Sequence, residues 1–151
     1  RGLRTIEDGD MNTLLGFEFN INGKLGATLF TPYATAYDRA TGDVDLDIAA
    51  FAPTVRIAAP NGTTHFQIVM GAAELDFANE ASVFESSETA ILPYDGANTA
   101  AINLSIALTA NSVLPVLQVV GVEFYQEVNG QMYPLKNGAF NSLSIARVDT
   151  V

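Results

Sequence analysis

Apolar and polar residues alternate along most of this chain with a period of two, the mark of half-buried β-strands. In residues 14–21 (LLGFEFNI), Phe17, Phe19 and Ile21 fall on one face and Glu18 and Asn20 on the other. Asn22-Gly23 follows, a strong two-residue hairpin signal. It predicts a return strand over 25–31, ended by Pro32, which cannot donate a ladder hydrogen bond. Residues 33–38 and 43–49 flank a turn closed by Gly42. In the second of them Val44, Leu46 and Ile48 face inward while Asp43, Asp45 and Asp47 face outward.

Residues 64–77 predict one long strand, or two broken at Gly71, where a glycine inside a strand pattern signals a bulge. Residues 81–85 and 88–92 are expected to pair across Ser86-Ser87. Residues 99–109 put Ile102, Leu104, Ile106 and Leu108 on one side. The clearest hairpin joins 116–128 to 131–135 through Asn129-Gly130. Residues 142–149 close the set. Leu143, Ile145 and Arg147 are expected on one face, with Ser144, Ala146 and Val148 on the other.

About nine strands with turns this closely spaced predict an all-β fold. An antiparallel β-sandwich, Ig-like or jelly-roll-like, is the first choice and a barrel the second. Residues 1–13 are polar and glycine-broken and are expected to form an N-terminal arm. Residues 14–151 then form a single domain. At 151 residues, a domain buries roughly 70% of the surface its unfolded chain exposes, enough for a core without metal or disulfides. The chain has no cysteine, which removes thiol chemistry and zinc–cysteine sites.

Charge narrows the partners. Seventeen Asp and Glu stand against seven Lys and Arg, for a net charge of −10. Nucleic-acid binding requires clustered cations to neutralise phosphates, and here they are scattered, so no nucleic-acid partner is expected. An anionic membrane surface is disfavoured for the same reason. The longest apolar stretch, 113–122, is interrupted by Pro115 and Gln118 and falls far short of the ~20 residues of a transmembrane helix. The chain opens on Arg1 rather than Met, which leads to the expectation of a processed product or a fragment. An extracellular or cell-surface location is favoured over a cytoplasmic one.

Several clusters invite chemistry. Asp43, Asp45 and Asp47 share a strand face, the one candidate for calcium. A cation of that kind needs six to eight converging oxygens, and a flat row does not converge unaided. The bland alternative is a solvated face whose charge blocks edge-to-edge pairing. Glu7, Asp8 and Asp10 lack the order of a calcium loop. His65 is the only histidine, with no nucleophile elbow to serve. The pairs Glu74/Asp76 and Glu123/Glu127 share strand faces, a spacing common in any acidic β-protein. These readings predict neither an enzyme nor a cofactor. Tyr125 and Tyr133, on opposite arms of the last hairpin, are expected to lie near cross-register. They form either a packing pair or a small glycan-binding patch.

The stretches 15–24 (LGFEFNINGK), 59–66 (APNGTTHF), 121–130 (GVEFYQEVNG) and 133–139 (YPLKNGA) resemble the C-terminal part of uncharacterised Bacteroidetes proteins. In those proteins a basic, glycine-containing segment precedes such a domain. The resemblance covers essentially the whole chain. It implies a bacterial origin and a longer parent, and it assigns no role to any residue. The leading expectation is a structural β-domain that self-associates, such as a subunit of a surface fibre. Its homo-oligomer would form through the arm or an edge strand, with Leu14, Phe17 and Phe19 near the contact. The alternative is a glycan- or small-ligand-binding module around Tyr125 and Tyr133.

Overall fold

The computed structural model describes Ile6 and residues 9–151. Among them nine antiparallel strands form two sheets, an all-β sandwich. The smaller sheet has the order β1-β2-β6, with β1 Tyr33–Tyr37, β2 Asp43–Ile48 and β6 Ile102–Ala107. The larger is built on two long neighbours, β3 His65–Asp76 and β7 Val116–Val128. The far edge of β3 carries β4 Ala81–Glu88 and the two-residue β5 Leu92–Pro93. The far edge of β7 is shared by β9 Ser142–Asp149 and β8 Gln131–Pro134.

The core lies between the sheets. Val44, Leu46 and Ile48 of β2 meet Phe66, Ile68 and Met70 of β3 and Val120, Val122 and Phe124 of β7, all buried. Gly42 (φ +87°) and the Asn129-Gly130 pair (φ 52° and 78°) take the left-handed conformations that their tight turns require. One seam of the sandwich is closed by arginines. Arg147 donates from Nη2 to the Thr35 carbonyl at 2.9 Å, and Arg39 pairs with Asp149 at 2.8 Å. These contacts fasten β1 and its turn to β9.

Glu74 is the one buried acidic or basic residue among the described residues. Its side chain is buried, accepting from the backbone N–H of Thr109 and from Ser112 Oγ at 3.0 Å. Two hydrogen bonds to the 109–112 loop replace the water this carboxylate gives up.

Several expectations are corrected. Residues 14–21 are not a regular strand, and Phe17, Phe19 and Ile21 do not point inward; they are 53%, 56% and 83% exposed. Glu18 and Asn20 take the inner side because each tethers backbone. Glu18 accepts from Leu25 N–H, and Asn20 donates to the carbonyls of Ala139 and Asn141. Asn22-Gly23 makes no hairpin, and Leu25–Ala27 is a 3-10 turn. Gly23 serves close packing instead, since a Cβ there would lie 2.6 Å from the Phe140 carbonyl oxygen.

Gly71 marks no bulge. Its place in β3 is regular, and a Cβ there would meet the Phe84 ring at 2.9 Å. Residues 81–88 run as one strand against β3 rather than as a hairpin across Ser86-Ser87. The register shift falls at Gln118/Val119 of β7, opposite β9. Ala146 is the extra residue there, so Arg147 turns inward and Val148 outward, the reverse of simple alternation.

Candidate functional site

Among the described residues, no second layer covers the middle of the outer face of the large sheet. On β3, residues 66, 68, 70, 72 and 74 point into the core, so Val69, Gly71, Ala73 and Leu75 point out. Across the ladder Val69 opposes Gly121, Gly71 opposes Val119 and Ala73 opposes Leu117. On the next strand Leu143 opposes Gly121, Ile145 opposes Val119 and Val148 opposes Leu117. Phe84 of β4 opposes Ala73, lies against Gly71 and is 60% exposed. The middle of this face therefore carries no charged side chain on four adjoining strands. Most of its side chains are half-buried, and Ile145 is buried.

A further segment extends the sheet past β9. Gly16 donates to the Ile145 carbonyl at 2.8 Å, Ile145 to that of Phe17 at 2.9 Å, and Phe19 to that of Leu143 at 2.9 Å. Glu18 bridges Ser144. Alternation then places Phe17 and Phe19 on the same side as Leu143 and Ile145. Their rings meet edge to face, centroids 5.1 Å apart. The 3-10 turn Met11–Leu14 leads into this segment, with Met11 buried and Leu14 partly exposed. The described end of the expected arm thus rests on the body of the domain. Met11 and Ile145 are both buried yet stand apart from the main core cluster.

The face is rimmed at both ends. At one end Ile6, Met11, Leu14, Leu75 and Phe77 line an open cleft of about 520 Å³. At the other is a polar cluster. The Tyr125 hydroxyl lies 2.9 Å from Glu123 Oε2 and 3.0 Å from Gln67 Oε1. It has one proton to give, and the carboxylate is the stronger acceptor. Burial first, then that hydrogen bond and the charges of Glu123 and Glu88, push the Tyr125 hydroxyl up to about 12. Gln67 donates to the Thr89 carbonyl at 2.7 Å. His65 Nδ1 and the Thr64 hydroxyl lie 2.9 Å apart, and His65 stands opposite Tyr125 at the start of β3.

The remaining candidates scatter. Tyr125 opposes Pro134 and Gln126 opposes Tyr133, so the two tyrosines lie on opposite faces and make no shared patch. Asp43, Asp45 and Asp47 face outward as expected, but β2 is the central strand of its sheet. Their charge therefore guards no edge. The lateral neighbours of Asp45 and Asp47 are Ala34, Ala36, Asn103 and Ser105, which add no carboxylate. Among the described residues no three His, Asp or Glu converge on one point. Glu7 and Asp8 lie outside the described residues. Of the paired acids, Glu74 is buried in its own hydrogen bonds while Asp76 accepts from Asn79 at 2.8 Å. Among the described residues no helix is long and apolar enough to cross a membrane.

Sequence reasoning missed Val69, Ala73, Leu117, Val119 and Val148. The signal was present in the runs 66–73 (FQIVMGAA) and 116–122 (VLQVVGV), which are apolar on both parities rather than alternating. Runs of that kind belong to strands covered on both faces. Comparison with protein-family models, curated proteins and solved structures returns no match.

Proposed function

We propose that this chain is a non-catalytic structural domain that works by associating with itself, as a subunit of a fibre or another assembly. The observation that supports the reading is the aromatic pair Phe17–Phe19. Both rings are more than half exposed on a segment held in place by three backbone hydrogen bonds. Large apolar groups fixed rigidly toward water, contiguous with an apolar sheet face, are characteristic of protein-contact surfaces. The tyrosines behind the glycan alternative stand on opposite faces, so no geometry favours that reading.

Static light scattering on the whole chain tests the proposal. The wild type is expected to weigh more than the 16.0 kDa of one chain. The double variant Phe17→Ser/Phe19→Ser is expected to shift toward that mass. A wild type that stays monomeric throughout the micromolar range overturns the proposal.

A further inference from the structure

We infer that the outer face of the large sheet packs against the same face of a second copy, forming a closed two-fold dimer. The inference rests on the self-association reading and names the surface and the geometry.

Three observations carry it. The first is the two-sided apolar character of β3 and β7. Strands apolar on one side only can leave the other in water, whereas strands apolar on both sides are normally covered on both. In this chain one side is covered by β1, β2 and β6, and among the described residues only the 16–19 segment along β9 and Ile6, Met11 and Leu14 at the Leu75–Phe77 end reach the other.

The second is charge. The chain carries a net −10, so two copies repel over most orientations of approach. The strip from Ala73 through Leu117 and Val119 to Leu143 bears no ionisable group. The nearest acids are Glu88, level with Val69 on the β4 edge, and Glu123, opposite Gln67 toward the His65 end. A contact centred on the strip brings apolar side chains together and leaves these carboxylates at a wet rim, the anatomy of protein interfaces.

The third is area. Five neighbouring backbones, from β4 to the 16–19 segment, at ~4.8 Å spacing span about 24 Å; seven residues at ~3.3 Å span about 23 Å. The face thus offers about 550 Å² per copy, and two copies bury about 1,100 Å², just above the ~1,000 Å² a specific contact needs. A two-fold arrangement uses the same patch on both partners and closes after two copies. Two sheets meeting this way sit about 10 Å apart, as in the interior of a sandwich.

Light scattering and sedimentation of three variants decide the matter. Wild-type chain is expected at twice its monomer mass in the upper micromolar range, dissociating on dilution. Val119→Lys places a charge at the centre of the strip and is expected to remain monomeric at every concentration tested. Val69→Thr/Val119→Thr keeps shape and strand preference, so it serves if the lysine variant fails to fold; its dissociation constant is expected to rise at least ten-fold. Asp47→Lys, on the exposed face of the small sheet, is expected to dimerise no less than wild type.

A wild-type dimer that survives both folded strip variants overturns this inference and leaves self-association standing through another surface. A wild type that never exceeds one chain mass overturns both. An assembly larger than a dimer that the strip variants do not dissolve also overturns it, because a two-fold contact closes.

Discussion

The two faces of the large sheet are made of similar residues and meet different fates. The inner face presents Phe66, Ile68, Val120, Val122 and Phe124, each at most 1% exposed. The outer face presents Val69, Ala73, Leu117, Val119 and Leu143, and among the described residues the segment through Phe17 and Phe19 reaches it from the side and Ile6, Met11 and Leu14 from one end. Residue type alone does not separate them. What separates them is the presence of a second layer. β1, β2 and β6 supply it on one side, and on the other the described residues reach only the β9 edge and the Leu75–Phe77 end. Apolar composition therefore reports that a surface is to be covered, and topology reports whether the same chain covers it.

The contrast can be broken most forcefully from the inside. Phe124→Ala removes a fully buried ring and is expected to cost about 3–5 kcal/mol, as large core truncations do. Urea unfolding followed by circular dichroism measures it. Glu74→Ala leaves the Thr109 N–H and the Ser112 hydroxyl without their acceptor, and the expected loss is about 1–3 kcal/mol. The same unfolding curve reads it, and retention of wild-type stability contradicts the role assigned to this carboxylate.

Outer-face changes are expected to be milder for one chain. Phe84→Ala removes a ring that is 60% exposed, so the loss in a monomer is expected below about 1 kcal/mol. Measured at concentrations where the wild type associates, the same substitution is expected to cost more. A concentration-independent difference would remove the distinction between the two faces.

The smallest effect is a titration. Folded Tyr125 holds its proton up to about 12, while an unfolded tyrosine releases it near ~10. Ionisation thus favours the unfolded chain in that window. The contribution is fully present below the unfolded value and is lost as pH rises through the folded one. Absorbance of the tyrosinate is expected to show a late-titrating group that Tyr125→Phe abolishes. Glu123→Gln is expected to bring it earlier by removing the hydrogen-bonded carboxylate.

Much of this architecture was legible from local pattern. The β1–β2 and β7–β8 hairpins carry turn residues at the positions their backbones require, and Val44, Leu46 and Ile48 alternate cleanly into the core. The segment 14–21 was misread because period two specifies a pair of faces without saying which one is inside. Glu18 and Asn20 decided that through distant partners, Leu25, Ala139 and Asn141, which no local window contains. The tyrosine patch failed by a single position of register: Tyr125 meets Pro134, one residue from the pairing that would have placed the rings together. The apolar outer face is not legible from alternation, because near-continuous apolar runs signal a strand whichever side is inside, although a missing alternation carries its own message about burial.

The extra residue Ala146 has a consequence for how tightly the last strand is indexed. Ile145 and Val148 are three apart, an odd count that ordinary pleating would split between opposite sides; the bulge reunites them opposite Val119 and Leu117. Pairing Ala146 in regular register, with no bulge, would force a choice. Either Arg147 swings onto the oily surface and lets go of Thr35, or the hydrophobic pair parts company. The irregularity thus works as a ratchet tooth, leaving the C-terminal ribbon a single alignment in which its cation and its aliphatic side chains are seated at once.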